Sequence, residues 1–293
     1  MILGKGDFKY ELVANWMQLP EYFDLEDPVD IAVNSKDRVY ITSRGNHPVL
    51  IFDPDGSFVS CWGEGHFVDP HGVWIGSDDS VYITDRQMHT VEKFTPGGEL
   101  LSTLGTRGRS TAIMLRKPFN EPTDAALSPS GELFVCDGYG NFLVHSFATD
   151  GKLLKTWGEC GSGPGQFALP HRLAIDGKGI VYVCDRTANR IQLFTPDGEF
   201  IDMWTGMNWP QDIAVDRKNG IAYVIESQLW PPFHPKLTIR DLKGKIISSW
   251  GEEKLKGDTV LDNSHSLCVD SRGNIYVAEI VRRKRVLKFA RVK

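Results

Sequence analysis

The chain repeats one pattern six times, and no other feature limits its fold so strongly, because each unit must bury its apolar face against the next. Every unit runs from an anchor residue through an apolar strand, a polar turn, a second strand of the VYIT kind, and a third strand ending in a turn such as Asp-Gly. The anchors are Pro28, Pro70, Pro122, Pro170, Pro210 and Ser264. They lie roughly 40 to 54 residues apart, which suits a four-stranded propeller blade and is too long for a leucine-rich repeat. The second strands align as Val39-Tyr40-Ile41-Thr42, Val81-Tyr82-Ile83-Thr84, Leu133-Phe134-Val135-Cys136 and Val181-Tyr182-Val183-Cys184, with kin at Ala222 and Ile275. β-Branched and aromatic residues of this kind fit strands packed between neighbouring sheets. Turns such as Asp53-Pro54-Asp55-Gly56 and Thr195-Pro196-Asp197-Gly198 supply hairpin geometry. A fourth strand closes on Trp62-Gly63, Trp157-Gly158 and Trp250-Gly251. The sixth repeat runs out after Phe289, and Phe8 to Trp16 resembles the missing Trp-ended strand. Its pairing with the last blade is expected to close the ring and leave no open inner edge. The expected fold is all-β, a six-bladed β-propeller in a single domain spanning residues 1–293.

Composition agrees with that reading and removes several classes of function. A hydrophobic fraction of 41% with 24% charged residues is globular. A net charge of −5 steers the chain toward neither nucleic acid nor anionic lipid, so no nucleic-acid or membrane partner is expected. Apolar runs are as short as Val49 to Phe52, too short to cross a bilayer. The opening MILGKGDFKYEL lacks the continuous apolar stretch of a secretory signal. The five cysteines include no CxxC pair. Both features lead us to expect reduced thiols and a cytoplasmic location. The basic run Arg282-Arg283-Lys284-Arg285, with Lys288, Arg291 and Lys293, lacks aromatic interleaving and reads as a solvated strand and edge.

The residue after each anchor is, in order, Val29, His71, Thr123, His171, Gln211 and His265. Histidine occupies alternate repeats only, and alternate blades of a six-blade ring are related by rotations of about 120° around the axis. Histidine is 8 of 293 residues, so such a triplet arises by chance on the order of 10⁻³ even after allowing for the choice of column. If the column faces the channel, three imidazoles converge, the ligand set of an open zinc site. Iron, manganese or cobalt would also suit it.

The end of each second strand returns to the same face, because the two inner strands are antiparallel. Arg44, Arg86, Tyr139 and Arg186 stand there. Guanidinium groups around a metal point to a small anionic substrate, since arginine offers a carboxylate a planar fork. A tyrosine beside a cation can accept a proton, because the charge favours the phenolate. Asp85, Asp137 and Asp185 read as acceptors of loop N–H groups. Asp30, Asp124 and Asp212 follow the column and, by strand alternation, are expected to point away from it as structural acceptors. His47, His66, His89, His145 and His234 share no register and are read as ordinary.

These repeats resemble NHL repeats, most clearly in HRLAIDGKGIVYVCDRTANRIQLFTPDGEF. The arrangement of motifs resembles the catalytic core of peptidyl-α-hydroxyglycine α-amidating lyases over essentially the whole chain. That resemblance implies zinc held by His71 in DPHGVWI, His171 in LPHRLAI and His265 in NSHSLCV, with Tyr139 in CDGYGN as the catalytic tyrosine. Arg44 in TSRGN and Arg186 in CDRTAN match its active-site arginines, and Arg86 is an extra cation on the rim. The implied reaction splits an N-acyl-α-hydroxyglycine into an amide and glyoxylate. The chain departs from the family pattern at Asn263, at Ser266 (which replaces the aspartate of a structural calcium site) and at Gly140 (which replaces a disulfide cysteine). Structural calcium is therefore not expected. No monooxygenase domain is expected beside the repeats, so the precursor is expected to come from elsewhere. Two alternatives remain at this stage: another metal-dependent propeller enzyme, such as a lactonase or other hydrolase, and a non-catalytic NHL binding module. Sequence leaves the oligomeric state open.

Overall fold

Six antiparallel sheets follow one another along the chain in the computed structural model, which describes every residue except 229, 231–233, 252, 256–257 and 293. Lys293 thus lies outside the described residues. Blade 1 is Pro28–Val33, Val39–Ser43, Val49–Phe52 and Phe58–Trp62, and blade 2 begins at Pro70–Ile75. Blades 3, 4 and 5 begin at Asp124–Leu127, Pro170–Ile175 and Pro210–Asp216, each with three further strands in sequence order. The inner strand of every blade packs against the inner strand of the next, and blade 6, beginning at Ser264–Val269, returns to blade 1. The only helical segments among the described residues are 3-10 turns at Ile113–Leu115 and Arg186–Ala188.

The seam of the ring joins the two ends of the repeat array. Strand Phe8–Val13 pairs antiparallel with Arg285–Val292, in register from Lys9 with Val292 to Val13 with Lys288. Trp16 then sits where the other blades place their terminal tryptophans. It is buried against Phe52 and Tyr276, and its indole N–H donates to the Pro54 carbonyl at 3.0 Å. A fifth strand not foreseen from sequence, Ile2–Lys5, pairs with Phe8–Val13 and reaches blade 5, where Ser248 Oγ accepts the Lys5 N–H at 2.9 Å.

The core lies between blades rather than within them. Val49, Ile51 and Trp62 of blade 1 interlock with Val73, Val81, Ile83 and Phe94 of blade 2, burying apolar faces that no single sheet could cover. The hairpin glycines serve the same contact. Gly98 has φ +90°, and a Cβ there would meet the Trp62 ring of the preceding blade at 2.5 Å. Gly198 faces Trp157 and Gly244 faces Trp204 in the same way. The hairpin glycine and the tryptophan at a strand end are therefore two halves of one inter-blade joint.

The basic run is paired rather than free. Arg282 and Arg283 bridge to Asp262, Lys284 to Glu26, and Arg285 to Glu279. No helix is long and apolar enough to cross a membrane.

Candidate metal centre

The inner strands start with a defect that shapes the channel. Pro70 pairs with Asp85 and Gly72 with Thr84, so His71 is the extra residue of a β-bulge. The same shift sets off His171, Gln211, His265 and Val29. Bulges re-aim side chains, and this one cancels simple alternation. His71, His171 and His265 turn to the axis, while Asp30, Asp124 and Asp212, expected to point away, line the channel with Arg172 one step further along.

Three imidazoles form a nearly equilateral triangle with ring centroids 5.1, 5.1 and 5.0 Å apart. One ligand nitrogen from each lies within 4.8 Å of the others. Each ring is oriented by the next blade: Nδ1 of His71, His171 and His265 lies 2.7 Å from the carbonyl oxygens of Thr123, Gln211 and Val29. A carbonyl only accepts, so each Nδ1 carries the proton and each Nε2 keeps its lone pair. These three acceptors belong to the column residues of the intervening blades, so the six column positions alternate as donor and acceptor around the ring. Nε2 of His171 is buried without a hydrogen-bond partner. Burial above all holds the three rings well below the ordinary imidazole pKa, aided by Arg172 at His71 and His265 and by Arg186 at His171. Neutral, pre-aimed and with an orphaned lone pair, the set fits a divalent transition ion.

Tyr139 leans over this triangle. Its hydroxyl donates a long hydrogen bond to His71 Nε2 at 3.3 Å and accepts one from Arg186 Nη1 at 3.4 Å. The guanidinium of Arg86 lies 5.1 Å, and that of Arg186 5.6 Å, from the centre of its ring. Arg186 also donates to Gln211 Oε1 and rests on Trp209, and no carboxylate faces it among the described residues.

Arg44 and Arg86 are held differently. One buried carboxylate, Asp69, accepts from Nε of Arg44 at 2.8 Å and from Nε of Arg86 at 2.6 Å. Arg44 further faces Asp27, and Arg86 faces Glu121. The rim is thus less cationic than three neighbouring arginines suggest, and Arg186 carries its unneutralised charge. Sequence reasoning missed Asp69, Gln211 and Trp209. The only signal for Asp69 was an acid just before an anchor.

Asp85, Asp137 and Asp185 accept backbone N–H groups of the preceding loop, at Val68 and Asp69, at Asn120, and at Ala168 and Leu169. Asp30, Asp124 and Asp212 accept the N–H groups of Val73, Leu173 and Leu267 in the following blade at 2.6 to 3.0 Å. Arg172, 1% exposed, reaches Asp30 at 2.5 Å, Asp124 at 3.3 Å and the His71 carbonyl at 2.9 Å. Burial drives Asp124 up to about 7 and Asp212 up to about 8 despite that guanidinium. Beyond this cluster a cavity of about 540 Å³ opens toward the far end of the inner strands, past Lys218 and Asp270.

Residues 127–287 match the family model DUF5128, described as a 6-bladed beta-propeller. NHL repeat-containing protein 3 of Homo sapiens is 35% identical over 207 residues, 67% of this chain and 59% of that protein. Peptidyl-glycine alpha-amidating monooxygenase B of Xenopus laevis is 38% identical over 179 residues, 56% of this chain and 20% of that protein. The chain therefore spans less than two-thirds of the length of these relatives. A solved virginiamycin B lyase from Staphylococcus aureus superposes at a TM-score of 0.64 with 14% identity, covering 100% of both chains, which is a likeness of fold.

Proposed function

Because the chain belongs to the DUF5128 six-bladed β-propeller family, and is an NHL propeller resembling the amidating lyase core, we propose that it is a metal-dependent carbon–nitrogen lyase. Its substrate class is an N-acyl-α-hydroxyglycine or a related carbinolamide acid, and its products are an amide and glyoxylate or a related carbonyl acid. One observation carries the reading: three lone-pair-bearing Nε2 atoms converge beneath the Tyr139 hydroxyl, which Arg186 touches from the other side.

His71, His171 and His265 would hold the ion, zinc being the first expectation. Such an ion acts as a Lewis acid and makes a bound hydroxyl easier to deprotonate. Tyr139, in its deprotonated form, takes the proton of the substrate's α-hydroxyl at Oη. The electron pair of that O–H bond becomes the second bond of the new carbonyl, and the C–N bond breaks with its pair on nitrogen. Tyr139 then returns the proton to the amide nitrogen, so atoms balance and the tyrosine is regenerated. Arg186 donates to Oη at 3.4 Å and holds it over the histidines. Arg44, oriented by Asp69, is the residue we assign to the substrate carboxylate, with Arg86 beside it.

The test is elemental analysis of purified protein followed by a glyoxylate-release assay. About one transition ion per chain is expected, with release falling roughly 10³-fold in His71→Ala, the scale of several kcal/mol of lost electrophilic assistance. Full release by that variant, or a protein that binds no transition ion, ends the reading. Hydrolysis of lactones without glyoxylate release would assign the site to a hydrolase instead.

A further inference from the structure

From the geometry we infer that His47, Cys61 and Glu64 form a second, peripheral binding site for a divalent transition ion on blade 1. His47 lies in the turn between the second and third strands of that blade, Cys61 on its fourth strand Phe58–Trp62, and Glu64 in the turn that follows. Strand pairing of Leu50 with Cys61 brings the three together across 17 residues of chain from His47 to Glu64. Their ligand atoms sit 3.0 Å (His47 Nδ1 to Glu64 Oε1), 3.4 Å (Cys61 Sγ to Glu64 Oε1) and 3.7 Å (Cys61 Sγ to His47 Nδ1) apart. A tetrahedral ion with bonds of about 2.0 Å to nitrogen or oxygen and about 2.3 Å to sulfur separates its ligands by roughly 3.3–3.6 Å. The triangle already present therefore differs from that of a bound ion by only a few tenths of an ångström.

Two further features favour an ion over a plain hydrogen-bonded cluster. The Phe23 ring lies 3.9 Å from His47, fixing the imidazole before any ion arrives. Glu64 and His47 have side-chain exposures of 50% and 31%, so one coordination position opens to solvent and a water can complete the set. The soft sulfur with a borderline imidazole selects zinc-like ions over magnesium or calcium. An ion here would clamp the turn that begins at Arg44 to the outer strand of its own blade.

The site is chemically distinct from the axial one, since only it offers sulfur. Cobalt(II) is therefore the probe: thiolate ligation produces a near-ultraviolet charge-transfer band that an all-imidazole site lacks. Titration of metal-free wild-type protein is expected to give that band, complete by two ions per chain, and the band is expected to persist in His171→Ala, saturating there at one ion. Cys61→Ser should abolish it while leaving the ion bound by the axial histidines, and Cys160→Ser, at an exposed cysteine elsewhere, should leave it intact. Glu64→Gln should weaken it at least about 10-fold, since even supporting partners of metal ligands matter by 10- to 100-fold. Absence of the band in folded wild-type protein overturns the inference, as does a band that survives Cys61→Ser.

Discussion

Two adjacent layers of the central channel are built from the same strands and have opposite chemistry. At the strand starts, alternate blades supply three imidazoles that donate to the next blade's carbonyls and keep their lone pairs for the axis. One residue further along, the intervening blades supply three carboxylates that accept the next blade's N–H groups. Donors run around one layer and acceptors around the other, so each blade is stapled to its neighbour by a hydrogen bond that also orients a channel group. The imidazole layer keeps lone pairs that face one another, met only by the long bond from Tyr139 to His71, whereas the carboxylate layer is closed by a cation of its own, Arg172. One layer is an open site and the other a filled one. Channel position alone does not make a residue functional; what matters is whether its charge or lone pair has already been satisfied.

Emptying the filled layer is expected to have the largest effect. Arg172→Met leaves three buried carboxylates with no cation and should cost about 3–5 kcal/mol, as for other broken buried pairs, measured by chemical denaturation. A variant as stable as the parent would show that the acids, which burial raises, are simply protonated. At the open layer, Tyr139→Phe removes only the hydroxyl. It should lower glyoxylate release at least about 10²-fold, or about 2.7 kcal/mol, with unchanged ion content. An equal loss of bound ion would mean that Tyr139 supports the histidines rather than the chemistry.

The smallest expected effect sharpens the comparison through pH. In metal-free protein the three imidazoles titrate well below 6.5, so below that pH the unfolded chain takes up protons the folded one refuses, and stability falls with acid. Asp124 and Asp212, at about 7 and about 8 against 3.8 unfolded, keep protons that the unfolded chain has lost. They remove stability as pH rises from 3.8 to about 8. Thermal melting across pH should therefore show His171→Gln flattening the acid limb and Asp212→Asn flattening the alkaline one. A single variant that flattened both would mean the two layers titrate as one unit.

Much of this was legible in the sequence because it recurs. The blades, the Trp-ended strands and the histidine column all announce themselves by register, and Phe8 to Trp16 was recognisable as the missing strand by likeness to its fellows. What stayed hidden occurs once or involves backbone. Arg172 shares its column with Asp30, Asp124 and Asp212 but also with Gly72 and Ser266, and a single basic residue in a mixed column carries no periodic signal. The carbonyls that orient the imidazoles have no letter in the sequence at all. The bulge that turns His71 and Asp30 toward the same channel reverses what alternation predicts. Asp69 belongs to no repeated register and is the bridge between two arginines. His47, read as ordinary, joins Cys61 and Glu64 only through strand pairing.

The carbonyl that steers His265 belongs to Val29, 236 positions away, on the far side of the seam. The other two imidazoles find their guides one blade onward in the chain, so only the third must wait for head and tail to meet. A growing polypeptide, or one whose first strand has let go, therefore holds two aimed ligands and a third left to swing. An ion taken up at the proposed site would then be a record that the circle has been completed.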